Sequence, residues 1–190
     1  MGEQLDRAAV GPIIERAGVV NLSRTVVERL TAELGGRAVS VTDLPRLPFL
    51  QQVINEALRL YPPIFLQPRE ARQADVLSGH RFPAGTRVVL CPYVTQRHEG
   101  FWDDPDRFDP DRFAPSRAAG RAPYAFFPMG QPGPRHCLGS DLARLELALV
   151  VATVAQHFVL LLSRSGEPET VMQMAMDFAG PVEIDLRAID

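Results

Sequence analysis

A glycine-rich turn around one cysteine, Cys137, lies directly before a predicted helix. Three glycines and one arginine surround it: Gly130, Gly133, Arg135 and Gly139. The positive end of the helix dipole stabilises a thiolate at such a place, and the glycines let the backbone approach closely or adopt positive φ. The arginine can face an anionic group. The pattern therefore suits a thiolate that binds the iron of a flat cofactor with anionic edges.

Two other interpretations of Cys137 are open from the residues alone. A lone cysteine in a turn of glycine and proline is more often a buried, unreactive side chain. A zinc site is a poorer alternative, because the sequence has no Cys-x-x-Cys pair and His136, directly beside Cys137, fits badly around one tetrahedral ion. We expect the other cysteine, Cys91, to pack on a strand rather than to bind a metal.

Two charged motifs precede the cysteine turn. Glu56 and Arg59 are separated by one helical turn, so their side chains can pair on one helix face. Residues 108–113, Phe-Asp-Pro-Asp-Arg-Phe, form a predicted turn with a charged face that includes Arg112. Each motif is weak evidence by itself, because exposed ion pairs are common and contribute little.

The elements that must position these residues are helices joined by short strands and turns. Helical spacing and end signals predict helices over 23–34, 49–61 and 140–156. Ser23 is the expected cap of the first helix and Ser140 that of the third. Short strands are predicted within 71–91 and from 157 to 163, and an irregular segment over 98–134. Its seven aromatic side chains predict that it is packed. The fold class is mainly α with small β-sheets (α+β), in one domain.

Composition limits the functions that the chain can have. The 190 residues are 46% hydrophobic and 23% charged, which is typical of a globular domain. The net charge of −3 argues against a nucleic-acid partner, and all 20 basic residues are arginine. Fourteen of the 17 prolines lie between Pro45 and Pro134, so this stretch cannot be mostly helix.

Neither a leader nor a membrane span is predicted from the sequence. The first residues lack a basic region followed by an apolar one. The most apolar run, 142–162, contains Arg144 and Glu146, which a span facing lipid would tolerate poorly. Two cysteines do not make a disulfide scaffold. We therefore expect a cytoplasmic protein with no membrane partner.

Taken together and in this order, the three motifs resemble the C-terminal part of the cytochrome P450 family. Glu56-x-x-Arg59 is similar to the family's helical Glu-x-x-Arg, and residues 108–113 are similar to its Pro-Glu-Arg-Phe element, with Asp111 in place of Glu. The Cys137 turn resembles the haem-binding loop. The resemblance covers about residues 23–190 and leaves residues 1–22 unassigned. It implies the C-terminal part of the cytochrome P450 fold, truncated at the N-terminus.

The resemblance implies a role for each matching residue. Cys137 is the axial ligand of the iron of haem b (iron-protoporphyrin IX), Arg135 and Arg69 meet its propionates, and Gly130, Gly133 and Gly139 shape the loop. A structural ion-pair network behind the haem is formed by Glu56, Arg59 and Arg112. The segment that lines the substrate pocket is Ile64, Phe65 and Leu66, for which plain core packing is an equally good interpretation.

The implied activity is that of a haem-thiolate monooxygenase, which inserts one oxygen atom into a small apolar organic substrate. Reducing equivalents come from NAD(P)H through a ferredoxin- or flavodoxin-type partner or a reductase. The helix that carries the family's oxygen-activating threonine and acid has no match, so no catalytic residue is identified. The cysteine loop is one residue longer than usual, with Met129 in place of a phenylalanine, and Gln96 stands where many members carry histidine.

Two alternatives compete with the enzyme hypothesis. The chain could be a non-catalytic, haem-binding remnant of a disrupted cytochrome P450. It could also be a structural α+β module without cofactor, which requires the Cys137 loop to be a coincidence.

Overall fold

The protein is represented by a computed structural model that describes residues 19–130, 133–162, 169–173 and 175–189. The described helices are α1 (Val19–Leu34), α2 (Pro48–Leu60), α3 (Pro92–Thr95), α4 (Pro115–Ala118) and α5 (Ser140–His157), with 3₁₀ helices at Val41–Arg46 and Pro110–Phe113. Helices α2, α3 and α4 each begin with proline. The fixed φ and missing N–H of proline suit the first helical position, so each proline sets a helix start.

Short strands pair in antiparallel twos throughout the described residues. They are β1 (Gln67–Glu70), β2 (Asp75–Leu77), β3 (His80–Phe82), β4 (Arg87–Leu90), β5 (Phe158–Leu162), β6 (Thr170–Met172), β7 (Met176–Phe178) and β8 (Ile184–Ala188). β1 pairs with β4, β2 with β3, β5 with β8 and β6 with β7. The predicted fold class, mainly α with small β-sheets, is confirmed.

The hydrophobic core lies where α1, α2 and α5 pack together. Its most buried helical members, none more than 4% exposed, are Leu30 of α1, Leu50 and Ile54 of α2, and Ala148 and Ala152 of α5. Burial of one leucine side chain contributes about 1.5–3 kcal/mol. The cluster therefore holds α2, which carries the Glu-x-x-Arg motif, against α5, which follows the cysteine turn.

Both predicted serine caps are wrong, and so is the predicted start of α1, whereas α5 begins at Ser140 as predicted. α1 already includes Val19, so Ser23 lies within the helix and does not cap it. Residues 19–22 contain no helix breaker, and the capping preference of one serine cannot stop a helix that its neighbours allow. At α5 the N-cap is Gly139 and Ser140 is the first helical residue, because the Ser140 side chain bonds to His136 instead.

Strands β2, β3 and β4 lie within the predicted region 71–91, and β5 follows α5 as predicted. The irregular segment 98–134 is packed in its described part, where Trp102 contacts Phe113 and Phe126 at centroid distances of 5.9 and 6.5 Å. None of the described helices is long and apolar enough to cross a membrane.

Candidate functional site

The centre of the candidate site is a buried ion pair on α2. Arg59 donates from Nε to Glu56 Oε2 at 2.7 Å and from Nη2 to Oε1 at 2.8 Å, and both side chains are 0% exposed. The two-point geometry matches the planar guanidinium to the planar carboxylate. A fully buried pair differs from the exposed helix pair that the sequence alone suggested, because neither charge can turn to water.

The remaining hydrogen-bonding groups of this pair bind the segment that follows α3. Arg59 donates from Nη1 to the carbonyls of Gln96 and Pro105, at 2.8 and 2.6 Å, and from Nη2 to that of Arg107 at 3.1 Å. Glu56 Oε1 accepts from the backbone N–H of Asp109 at 2.8 Å. Glu56 and Arg59 thus attach α2 to the backbone between residues 96 and 109.

Arg112 completes a three-residue cluster with that pair. Its Nε lies 3.4 Å from Glu56 Oε1, and its side chain is 5% exposed. Its other nitrogens donate to the carbonyls of Asp103 and Asp104, the latter at 2.8 Å. The structure therefore brings together Glu56, Arg59 and Arg112, the three residues that the sequence analysis grouped.

Sequence reasoning missed two members of this region, Trp102 and Arg121. Trp102 is 3% exposed, and two guanidinium groups lie near its ring, that of Arg59 at 5.1 Å and that of Arg121 at 4.5 Å from the centroid. Arg121 also donates to the carbonyl of Arg112, and burial lowers its pKa. The only available signal was an aromatic-rich segment that contains arginine, which does not say which ring meets which charge.

The turn before Cys137 is held by its own backbone. The N–H of Gly130 donates to Phe127 O at 3.1 Å, and the N–H of Cys137 donates back to Met129 O at 3.3 Å. Gly130 and Gly133 have φ of +97° and +132°, a region that L side chains rarely adopt. These two glycines therefore let the chain reverse and present Cys137 at the surface, where it is a free and exposed thiol.

The turn passes directly into α5. Cys137 O accepts from the N–H of Ser140 at 3.2 Å, and Gly139 O accepts from that of Ala143 at 2.9 Å. The Ser140 hydroxyl is hydrogen-bonded to His136 Nε2 at 2.9 Å. Gly139, with φ of −84°, is not in the left-handed region, so its backbone does not require glycine. Cys137 thus lies just before the N-terminus of an 18-residue helix, as the sequence predicts.

The two arginines assigned to an anionic group are both exposed. Arg69, on β1, donates to Pro68 O at 2.9 Å and makes a long contact of 3.5 Å to Gln67 Oε1. Gln67 Nε2 in turn lies 3.8 Å from where a Cβ on Gly130 would be, so β1 touches the cysteine turn. Within the described part of the chain, no side chain pairs with Arg135. Both cations are therefore available to an external anion.

The segment between α2 and β1 holds the three residues assigned to a substrate pocket. Ile64 and Leu66 are 40% and 39% exposed, and Phe65 is half-buried. Phe65 O accepts from the N–H of Tyr93 at 3.4 Å and from Cys91 Sγ at 3.2 Å. Cys91 is half-buried, and the prediction that it lies on a strand is wrong, because β4 ends at Leu90 and Cys91 is the N-cap of α3. Ile64 and Leu66 present an apolar surface.

The donor set fits a haem. Among the described residues, no group of three or more His, Cys, Asp or Glu side chains is placed to hold a metal ion. A single thiolate such as Cys137 therefore suits a metal whose other ligands come with its own cofactor. A Cβ added to Gly133 or Gly139 would meet no atom within 4 Å beyond its chain neighbours, and the neighbouring Leu138 is fully exposed. An open glycine edge beside exposed apolar surface is what a flat macrocycle needs.

The fold and the residues around Cys137 agree with one family of proteins. The family model described as Cytochrome P450 matches residues 23–183, so the chain belongs to the cytochrome P450 family. Haem b is the cofactor of that family, with electrons supplied by a redox partner.

Individual relatives agree with this family. The chain is 39% identical over 139 residues to probable cytochrome P450 4aa1 of Drosophila melanogaster, covering 73% of this chain and 27% of the relative. It is 40% identical over 131 residues to pentalenene oxygenase of Streptomyces avermitilis, covering 69% and 29%. The chain thus spans less than a third of the length of these relatives.

Solved structures show the same fold. A cyanobacterial cytochrome P450 with bound retinoic acid, CYP120A1, superposes with a TM-score of 0.79 and 31% identity over 87% of this chain and 39% of that one. The haem domain of cytochrome P450DA superposes with a TM-score of 0.82 and 25% identity over 88% and 37%. The described structure is therefore part of the cytochrome P450 fold.

Proposed function

We propose that this chain is the haem-binding part of a cytochrome P450 monooxygenase. The observation that carries the proposal is the exposed Cys137 thiol, presented by a turn with Gly130 at φ of +97° just before α5. Family membership supports the assignment. A relative whose name is pentalenene oxygenase supports oxygen insertion as the reaction class.

In this proposal Cys137 supplies the sulfur ligand of the haem iron. Haem bound through a thiolate provides the oxygen chemistry, because the thiolate pushes electron density onto iron and favours O–O cleavage. Arg135 and Arg69 neutralise the propionates, which agrees with their exposure. The positive φ of Gly130 and Gly133 keeps the turn open, and Gly139 leaves space beside the thiol.

The buried cluster has an architectural role in the same proposal. Glu56, Arg59 and Arg112 are buried and bind one another and the backbone between residues 96 and 109, so their proposed role is to hold α2 against that segment. Ile64, Phe65 and Leu66 line the pocket for a small apolar substrate, with the exposure of Ile64 and Leu66 in support.

Residues 23–190 form the haem-binding part, and we assign no catalytic residue to this chain. The electron donor is a ferredoxin- or flavodoxin-type protein or a reductase. Cytoplasmic location stays a prediction from the composition.

The experiment that tests the ligand is spectroscopic. The purified chain is mixed with haemin, reduced with dithionite and exposed to carbon monoxide. A strongly red-shifted Soret band is expected, since a thiolate ligand donates charge to iron. Cys137→Ala is expected to abolish this band, and Cys91→Ala, the matched control, is expected to retain it. A band retained in Cys137→Ala would refute the ligand assignment.

A second candidate, a haem-binding protein without turnover, is equally consistent with an exposed thiol at Cys137. NADPH, with a surrogate ferredoxin and its reductase, separates the two. Product formed from an apolar test substrate supports the monooxygenase. A red-shifted band with little or no product supports the second candidate, and this is the result we expect for the isolated chain.

A further inference from the structure

A buried glutamine, Gln96, connects the ion-pair cluster to the cysteine turn. It is 0% exposed and follows α3 directly. Its Nε2 donates to Leu58 O at 3.1 Å and to Arg59 O at 3.0 Å, at the C-terminal end of α2. Its Oε1 accepts from the backbone N–H of Phe127 at 2.8 Å. One side chain thus joins the end of α2 to Phe127, and the carbonyl of Phe127 accepts the hydrogen bond from Gly130 that begins the turn before Cys137.

The three partners determine which way the amide faces. Carbonyl oxygens only accept, so Leu58 and Arg59 require the NH₂ group, and the N–H of Phe127 only donates, so it requires the oxygen. All three hydrogen bonds are satisfied in one orientation and none in the other. Because the side chain is fully buried, water cannot replace a lost partner. The two hydrogen bonds to α2 therefore fix the amide, and the third fixes Phe127 relative to it.

The restraint on Phe127 reaches Cys137 through two further contacts. Phe127 O accepts from the N–H of Gly130 at 3.1 Å, which sets the first bend of the turn. Met129 O, one residue before that bend, accepts from the N–H of Cys137 at 3.3 Å. Met129 also packs against the hydrophobic core. The cysteine backbone is therefore held relative to Phe127, and Phe127 is held relative to α2 by Gln96.

We propose that Gln96 is a positioning residue that sets where Cys137 presents its sulfur to the haem iron. This inference rests on the proposed function, in which Cys137 is the ligand. Gln96 touches neither cofactor nor substrate and acts through Phe127. Its backbone carbonyl also accepts from Arg59 Nη1 at 2.8 Å, so the same residue holds the buried ion pair.

The chain contains a matched control in Gln156. Its Oε1 accepts from the N–H of Val39 at 3.2 Å, and its Nε2 donates to Arg37 O at 2.8 Å. Gln156 thus makes the same kinds of bond to backbone, but near the C-terminal end of α5, while Cys137 precedes its N-terminal end. Gln156→Leu and Gln96→Leu both remove hydrogen bonds of a side-chain amide. Only Gln96→Leu removes a hydrogen bond to the cysteine turn.

The first measurement uses the full chain without haem. Backbone amide exchange is followed by NMR for Phe127 and Cys137 in the wild type and both leucine variants. We expect Gln96→Leu to speed exchange of Phe127 about tenfold, the effect of losing one hydrogen bond, and to speed that of Cys137 as well. Gln156→Leu leaves both rates unchanged. Equal effects of the two variants would overturn the proposal.

If Gln96→Leu does not fold, the same exchange rates are measured in Gln96→His. A neutral imidazole offers one acceptor and one donor, so Gln96→His can keep the Phe127 bond and one carbonyl bond. We expect it to fold and to retain most of the protection of Phe127. A folded Gln96→His protein in which Phe127 exchanges as fast as in the denatured chain would contradict the proposal.

The second measurement uses haemin, dithionite and carbon monoxide. Gln96→Leu and Gln156→Leu are compared under conditions in which both have lost the same unfolding free energy. Only Gln96→Leu is then expected to lower the fraction of bound haem that shows the red-shifted band, by at least half. An unchanged fraction in Gln96→Leu would overturn the proposal. If the wild-type chain itself gives no such band, the proposed function fails, and the exchange rates still decide whether Gln96 positions the cysteine turn.

Discussion

Glu56→Gln is the sharpest test of the buried cluster. The substitution keeps the size of the side chain and removes its charge. Glu56 Oε2 accepts from Arg59 Nε at 2.7 Å, while Oε1 accepts from Arg59 Nη2 and from the N–H of Asp109, each at 2.8 Å. A glutamine can keep only one acceptor oxygen. Its NH₂ group must face either the Arg59 Nε–H or the donors on the other side, and two donors repel.

The magnitude follows from burial. Glu56 and Arg59 are 0% exposed and Arg112 is 5% exposed, so the two guanidinium groups lose their carboxylate where water cannot reach them. Removal of one partner of such a pair costs about 3–5 kcal/mol. An exposed ion pair in contrast contributes about 0.2–1 kcal/mol. The difference between these two ranges is large enough to measure.

The assay is urea unfolding followed by fluorescence of Trp102, the single tryptophan, which is 3% exposed and 5.1 Å from the Arg59 guanidinium. The matched control is Glu28→Gln, because Glu28 is 65% exposed and pairs with Arg24 at 3.5 Å on α1. We expect Glu28→Gln to change the unfolding free energy by less than about 1 kcal/mol. Equal losses in the two variants would refute the argument that burial, rather than pairing, determines the effect.

Three further predictions concern the turn, the Arg37–Asp43 ion pair and the core. Gly130→Ala should cost about 1–2 kcal/mol, because φ is +97° while the nearest atom would lie an ordinary 3.7 Å from the new Cβ. Gly139→Ala, at φ of −84°, should be nearly neutral, and an equal cost in both would contradict this reasoning. Arg37 and then Ser40 hold the pKa of Asp43 well below its ordinary value, so its stabilising effect is present above about pH 4 and is lost as the pH falls further. Asp43→Asn should therefore flatten the acid side of a stability profile measured by urea unfolding, and an unchanged slope would count against the pair. Ala152→Leu, at a fully buried contact of α5, should lower the unfolding free energy by about 1–3 kcal/mol, and a more stable variant would show that the helices have room to move apart.

Local signals explain why much of the scaffold was predictable. Helical spacing of apolar residues predicted α2, and the proline pair after it correctly ended the helix. A start signal at Ser140-Asp141 predicted α5, and the strand-like residues 157–163 predicted β5. The failures at Ser23 and Ser140 have a common cause. A serine offers a cap, but whether it serves as one depends on the residues before it and on other partners, such as His136.

The sequence predicted which motif residues belong to the candidate site. It did not predict the contacts that join them to the rest of the structure. The motifs named Glu56, Arg59, Arg112 and Cys137, because those residue types at those spacings are rare together. The sequence marked Gln96 only as a difference from the family and Trp102 only as one of several aromatic residues, and it did not place Gln96 between α2 and the cysteine turn or Trp102 beside two guanidinium groups. Both depend on contacts between segments that are distant in the chain, and a single sequence does not encode such pairs by spacing.

The sequence by itself determined the family, the cysteine ligand candidate and the helix that follows it, because these depend on residue type and short-range spacing. Only the tertiary structure decided that the Glu56–Arg59 pair is wholly buried and that Arg59 binds the carbonyls of Gln96, Pro105 and Arg107. The physical reason is that every residue carries a backbone carbonyl. The identity of a residue therefore does not reveal that its carbonyl is an acceptor, whereas the fold brings Arg59 to carbonyls 37, 46 and 48 residues further along the chain.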